Sequence, residues 1–119
     1  MAMAIGASRQ TMATYYGTQG SWIGAATASP GSTTTPSNEV SGGSPAYARK
    51  QTTWSNGSNG QINGTKVSLD IPASTTVTHI ILASAATVAS ANAWDYADTT
   101  DITFNQQGIL DVTPQYNQT

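Results

Sequence analysis

The residues that could do chemistry in this 119-residue chain are few, and their spacing predicts no catalytic site. His79 is the only histidine, and it alternates with Val77 and Ile81 in the most apolar run of the sequence. A histidine-activated nucleophile or a zinc site would need partners for it, and the chain has no cysteine. The alternation therefore indicates a structural strand histidine, and we expect no catalytic residue and no cofactor.

The carboxylates offer a second kind of chemistry. Asp95, Asp98 and Asp101 follow one another at spacings of three, and oxygen-rich loops bind Ca²⁺. The stretch lacks the spacing of two, the glycine and the closing glutamate of an EF-hand loop, so a solvated loop is the favoured interpretation and a weak calcium site the alternative. Glu39 is the only glutamate, and no second carboxylate is placed beside it for glycoside cleavage.

Aromatic side chains are the better candidates for binding, because each combines a large apolar face with a polar edge. They could pack in the core, contact another subunit, or stack on a sugar ring. Core packing and subunit contact is the first interpretation, and contact with a glycan is the functional alternative. The candidates for partner or glycan contact are Trp22, Trp54, Trp94 and Tyr96.

The charge balance excludes several classes of partner. Only 8% of the residues are charged, and four basic residues against six acidic ones give a net charge of −2, too little basic charge for a nucleic-acid footprint. No apolar run approaches the ~20 residues of a membrane span, which predicts a soluble chain without membrane insertion. A net charge this small protects a free monomer poorly against association. We therefore expect a homo-oligomer, and a trimer is our hypothesis.

Strands must position these side chains, because the hydrophobic periodicity is two rather than 3.6. Val67, Leu69 and Ile71 alternate with polar residues, which predicts a half-buried strand, and the apolar run over 74–86 predicts the central strand. Three Asn-Gly pairs within 56–64 predict a hairpin. We interpret 87–101 as a loop, followed by two short strands in 101–105 and 108–114.

These elements predict an all-β fold, an antiparallel β-sandwich or jelly-roll-like domain of five to seven short strands. Residues 1–20 are predicted to form an N-terminal arm, either extended or a short helix, with Met3, Ala7, Met12 and Tyr16 as its stripe. Residues 21–119 then form a single β-sandwich domain. The long Ser-, Thr-, Pro- and Gly-rich loop over 32–45 is typical of interface-forming loops.

An ordered series of motifs runs through the first two thirds of the chain: TASPG, NEVSGGSPAYAR, a following Trp, and VSLDIPASTTVTH. The series resembles a family of small phage structural proteins, mostly from phages of actinobacteria, that are usually described as phage tail-fibre proteins. The resemblance covers roughly residues 20–86. The chain departs from the family pattern at Ser29, Leu69 and Ser74, where an acidic residue, Phe and Gly are usual.

The resemblance implies a virion structural protein, which would be made in the host cytoplasm, and it implies no catalytic residues because the family motif carries none. Within the motif, two adjacent glycines allow a sharp bend and the proline keeps Ser44 extended. We expect the motif arginine to pair with a carboxylate, either Glu39 or Asp70. The structural motif consists of Gly42, Gly43, Pro45, Tyr47, Arg49 and Trp54.

From the sequence we place the protein first on the capsid of a virion, with a position in the tail as the alternative. A fibre normally has a shaft of repeats or heptads, and this chain has none, which favours a surface accessory protein that decorates or cements the capsid. The family resemblance favours a tail-fibre or tail-tip component involved in host adsorption, and a carbohydrate-binding module is the third alternative. Expected partners are other copies of the chain, major capsid or tail proteins, and a host cell-surface glycan.

Overall fold

The computed structural model describes residues 5–118, so Met3 of the predicted helical stripe lies outside the described residues. Over this range the chain forms one helix followed by nine strands. The elements are α1 (Gly6–Gln19), β1 (Trp22–Ala26), β2 (Lys50–Gln51), β3 (Trp54–Asn56), β4 (Gln61–Gly64), β5 (Val67–Ile71), β6 (Thr75–Ala83), β7 (Ala93–Phe104), β8 (Gly108–Val112) and β9 (Gln115–Asn117).

The strands form three antiparallel sheets. The largest has the order β2-β1-β6-β7, the second β3-β4-β9, and the third is the pair β5-β8. The apolar run predicted as the central strand is β6, which lies between β1 and β7. The predicted all-β antiparallel sandwich is confirmed, with nine strands rather than the expected five to seven and with the helical form of the N-terminal arm. The dimensions of the fold are 46 × 25 × 22 Å.

The core lies where the alternating faces of β5 and the large sheet meet. Val67, Leu69 and Ile71 are all buried, as their spacing predicts, while Ser68 between them is exposed. Burying a side chain of this size contributes about 1.5–3 kcal/mol. The core cluster consists of Ile23, Ala25, Val40, Tyr47, Val67, Leu69, Ile71, Val77 and Leu82.

One of the three Asn-Gly pairs, Asn59–Gly60, lies in the turn between β3 and β4. Asn59 has φ 57° and Gly60 has φ 99°, a left-handed conformation that Asn and Gly adopt more readily than other residues. Gly60 also lies against α1, because a Cβ at this position would come within 2.8 Å of the Arg9 Cβ. The hairpin and the helix therefore fit together only with a glycine here.

The prediction of a loop over 87–101 is wrong for its second half. Ala93–Phe104 forms β7, a strand of 12 residues that also contains the first of the two short strands predicted near the C-terminus. It pairs with β6 on one side only and forms an edge of the large sheet. Its side chains are mostly exposed, which explains a polar sequence without the alternation that marks a half-buried strand.

Helix α1 packs on the β3–β4 hairpin, and the helical alternative for the N-terminal segment is confirmed over Gly6–Gln19. Gln10 fixes the contact, because its amide donates to the Gln61 carbonyl at 3.0 Å and accepts from the Gly60 N–H at 3.1 Å. Ala13, on the inner side of the helix, is fully buried.

No helix within residues 5–118 has the length and hydropathy needed to cross a membrane. The boundary between residues 1–20 and 21–119 stays a prediction.

Candidate functional site

The motif segment is organised by a buried ion pair. The Arg49 guanidinium donates from Nε to Glu39 Oε2 and from Nη2 to Glu39 Oε1, both at 2.8 Å. The two side chains are 0% and 1% exposed. This two-pronged geometry is the strong form of an arginine–carboxylate contact. The predicted pairing of Arg49 with a carboxylate is confirmed, with Glu39 as the partner rather than Asp70.

Further hydrogen bonds join this pair to its surroundings. Glu39 accepts from the Tyr47 hydroxyl at 2.7 Å and from the Ala89 N–H at 2.8 Å. Arg49 Nη1 donates to the Ala85 carbonyl at 2.9 Å and to Asn92 Oδ1 at 2.6 Å. The ion pair thus connects the motif segment to the 84–92 turn.

Electrostatics keep the cluster in one protonation state near neutral pH. Burial by itself would raise the pKa of the Glu39 carboxyl. The hydrogen bonds from Arg49, Ala89 and Tyr47 outweigh burial and hold that pKa below its usual value. Burial and the Glu39 charge raise the pKa of Tyr47, so its hydroxyl stays neutral and can donate. The Tyr47 oxygen also accepts from the Ala25 N–H at 2.9 Å.

The adjacent glycines make the bend that the sequence predicts. Gly42 has φ 87° and Gly43 has φ 99°, and the peptide bond between Ser44 and Pro45 is cis. Gln107 joins this bend to the β7–β8 turn, because its Oε1 accepts from the Ser44 N–H at 3.2 Å and its Nε2 donates to the Pro45 carbonyl at 3.3 Å. A Cβ at Gly43 would lie 2.7 Å from Gln107 Oε1, whereas a Cβ at Gly42 would meet nothing within 4 Å.

Gly24 is a residue of this cluster that the sequence reasoning missed. A Cβ here would lie 2.5 Å from the Tyr47 hydroxyl and 2.9 Å from Glu39 Oε2, so the strand must carry a glycine where the cluster lies on it. The signal was present, because an isolated glycine inside a strand often marks a close approach of another group.

The aromatic candidates do not form one flat platform. Trp54 is half-buried, and its indole N–H donates to the Gly20 carbonyl at 2.8 Å. Trp94 and Tyr96 lie on β7 and are 47% and 43% exposed. Trp22 on β1 is half-buried and lines neither of the two clefts near β7. Contact of these residues with a partner or a glycan stays a prediction.

Two tyrosines that the sequence did not single out for binding complete an aromatic cleft. Tyr16 from α1 stacks on Tyr116 from β9, with ring centroids 3.7 Å apart and planes 8° apart. The Tyr16 hydroxyl donates to Asp95 Oδ2 at 2.7 Å, and burial together with this carboxylate raises its pKa. The stacked pair and Trp54 line a cleft of about 320 Å³ beside β7. Sequence periodicity could not reveal this pairing, because the two tyrosines are 100 positions apart.

The polar candidates are separated by the extended strand. Asp95, Asp98 and Asp101 lie along β7, so neighbouring members are about 10 Å apart at ~3.3 Å per residue. Residues 5–118 contain no cluster of three His, Cys, Asp or Glu side chains that could hold a metal ion. His79 lies on β6 as a partly exposed strand residue, as predicted, with Nε2 3.8 Å from Asp98 Oδ1 and Nδ1 2.7 Å from the Thr78 hydroxyl.

Comparison with known proteins finds a matching family. No curated protein and no solved structure matches the chain. One family model, described as the podophage GP4 fiber I protein gp80, matches residues 7–115, which run from α1 into β9. The match extends beyond the 20–86 segment that carries the resemblance in sequence. Of the two stacked tyrosines, Tyr16 lies within the matched residues, and Tyr116 follows directly after their end. The chain belongs to the family of the podophage GP4 fiber I protein gp80, a family of phage virion structural proteins.

Proposed function

We propose that this protein is a component of the phage tail fibre that takes part in contact with the host, and that it acts without catalysis and without a cofactor. The family match carries this proposal, because the matched residues span almost every element of the fold and the matched family is described as a fibre protein. The chain has no repeat that could build a shaft, so its place would be a globular piece at the end or at a joint of the fibre.

Capsid decoration, which the missing shaft favours in the sequence, remains the second candidate. A chain in which only 8% of the residues are charged suits a protein that is held between other virion subunits, whichever part of the particle contains it. The family match supports the fibre and gives the capsid no separate support. We therefore place the fibre role first and keep decoration as the alternative that the experiment must exclude.

We further propose that the chain assembles as a homo-oligomer, with a trimer as the working hypothesis, through the outer side of α1. Ile5, Met12 and Tyr15 are 67%, 51% and 61% exposed. Met12 and Tyr15 lie three positions apart on one side of the helix, at the spacing of a seam between packed helices, and Ile5 immediately precedes the first residue of the helix. The helix contains a single charged residue, Arg9, so little charge would have to be desolvated at such a contact.

Locating the protein in purified virions tests the proposed role. We would add a small tag at the C-terminus, label the virions with gold and image them by cryo-electron microscopy. Label confined to the tail would support the fibre role. Label distributed over the icosahedral shell would establish decoration instead, and virions without label would refute both forms of the structural proposal. The tag itself could displace the protein from its normal position on the virion. Labelling untagged virions with an antibody against the protein is the control for this effect.

The oligomer is tested by measuring the mass of the purified chain with light scattering. Met12→Lys places a charge on the proposed seam and should shift the population towards the monomer. Ile109→Lys is the matched control, because Ile109 is 64% exposed on β8, away from α1. A wild-type monomer, or an equal effect of the two substitutions, would contradict assembly through α1.

A further inference from the structure

The cleft beside β7 has the volume of a small-molecule site. It measures about 320 Å³ and lies between the edge strand of the large sheet, the end of α1, and the segment that leads into β9. Small-molecule sites usually occupy ~300–1,000 Å³, so this cleft would hold a small unit or a chain end rather than a folded segment of protein.

The aromatic walls of the cleft are fixed before any ligand arrives. Tyr16 is held by its stack on Tyr116 and by its hydrogen bond to Asp95. Trp54 is held by its indole hydrogen bond to the Gly20 carbonyl. Aromatic rings that are already immobilised lose little conformational freedom on binding, which favours a ligand that packs against their faces.

The strand supplies polar groups at the same place. Asp95, Ala97 and Thr99 alternate along β7 and line the cleft, and the small Ala97 leaves space between its two polar neighbours. Gln115 adds an amide, whose Nε2 also donates to Asn63 Oδ1 at 3.0 Å. A carboxylate accepts several hydrogen bonds, while a hydroxyl and an amide both donate and accept. A ligand with hydroxyl groups along an apolar ring would satisfy both kinds of surface.

The charge of the lining restricts the ligand further. Asp95 and Asp98 are the lining residues that carry full charge, and none of the lining residues within the described chain is Lys or Arg. An anionic ligand would therefore be repelled, whereas a neutral or amino-bearing ligand would not. An apolar protein side chain would offer no hydrogen bond to the Thr99 hydroxyl or to the charged carboxylates, and burying such groups without one is unfavourable.

We propose that this cleft binds a sugar unit of a neutral or amino-containing surface glycan, with its ring against the aromatic walls and its hydroxyl groups on Asp95, Thr99 and Gln115. The inference rests on the proposed fibre role for the source of the glycan, which is the host surface. The proposed site differs from a general aromatic platform, because sugar binding there needs the small side chain of Ala97 and because the site excludes acidic sugars.

Binding of the full-length protein to immobilised neutral, amino and uronic-acid oligosaccharides tests the site. We expect binding to neutral or amino sugars and at least tenfold weaker binding to the uronic acids. Ala97→Leu fills the cleft and should weaken binding at least tenfold, the equivalent of ~1.4 kcal/mol. Thr99→Val removes the hydroxyl and keeps the shape, with an expected loss of about fivefold, since a net hydrogen bond contributes ~1 kcal/mol.

Matched controls separate the cleft from general effects on the protein. Thr100→Leu adds an apolar side chain of the same size at an exposed position of β7 outside the lining, and Asp101→Asn removes a charge from the same strand. Both should bind like the wild type, and circular dichroism should show the same unfolding temperature for all variants.

The inference fails if no sugar binds, if uronic acids bind equally well, or if Ala97→Leu and Thr100→Leu have the same effect. A change in oligomeric mass with Ala97→Leu would also overturn it, because another copy would then occupy the cleft. These results leave the fibre role intact, since that role is decided by the position of the label on the virion.

Discussion

Replacing Arg49 with Met is the sharpest test of how the motif stabilises the fold. The substitution removes two hydrogen bonds to Glu39 and the donors to Ala85 and Asn92. Removal of one partner from a buried ion pair costs about 3–5 kcal/mol, because the remaining charge stays buried without a counter-ion. Glu39 keeps its bonds from Tyr47 and the Ala89 N–H, so we expect a loss near 3 kcal/mol, the lower end of that range.

A loss of this size is measurable, since domains usually have ~5–15 kcal/mol of total stability. We would follow urea unfolding by tryptophan fluorescence and compare the free energies of unfolding. Lys66→Met is the control, because the Lys66–Asp111 pair has a separation of 3.9 Å and side chains that are 64% and 54% exposed. Exposed pairs contribute at most about 1 kcal/mol.

A double substitution isolates the interaction between the two charges. Glu39→Gln together with Arg49→Met removes both charges, so the combined loss should be smaller than the sum of the single losses. If Arg49→Met costs no more than Lys66→Met, or if the two losses simply add, the buried pair does not hold the motif segment in place.

The remaining predictions concern pH and backbone conformation. The pKa of Glu39 is lowered in the folded state, so its stabilisation is complete above the unfolded value of 4.5 and is lost as the pH falls through the folded value. Urea titrations from pH 7 to pH 3 should show this loss in the wild type and a weaker pH dependence in Glu39→Gln. Gly43→Ala should destabilise the protein by about 1–3 kcal/mol more than Gly42→Ala, because both have positive φ but only the first meets Gln107, and a smaller difference in thermal unfolding would contradict the contact. Gly24→Ala should cost about 1–3 kcal/mol by pressing on the motif tyrosine, and near-UV circular dichroism should report the disturbed ring.

The sequence predicts the parts of the fold in which one face of a strand is buried. Val67, Leu69 and Ile71 show this, because alternation follows directly from a buried face. β7 could not be recognised in the same way. Its exposed edge position removes the requirement for alternation, so residues 94–98 have the composition of a loop while they form part of a regular strand.

The candidate site divides along a similar line. The Arg49–Glu39 pair was within reach of the sequence because the two residues lie ten positions apart in one motif, and a buried arginine needs a carboxylate. The stack of Tyr16 on Tyr116 joins the two ends of the chain, and the cleft exists only where these ends meet β7. No local pattern records such a contact, so the aromatic candidates could be named from the sequence but not placed.

The free edge of β7 has a consequence for how copies of this protein meet. The Ala93 N–H donates to the Thr34 carbonyl, and the strand beyond Ala93 is a template for pairing with an identical strand of another molecule. Antiparallel pairing centred on Asp98 would place Asp95 opposite Asp101 and Asp98 opposite itself, and like charges directly opposite each other destabilise a sheet. The three evenly spaced carboxylates would thus disfavour fibril-like stacking of β7 on β7 by charge repulsion. In a chain with so little charge elsewhere, they direct association away from the strand edge.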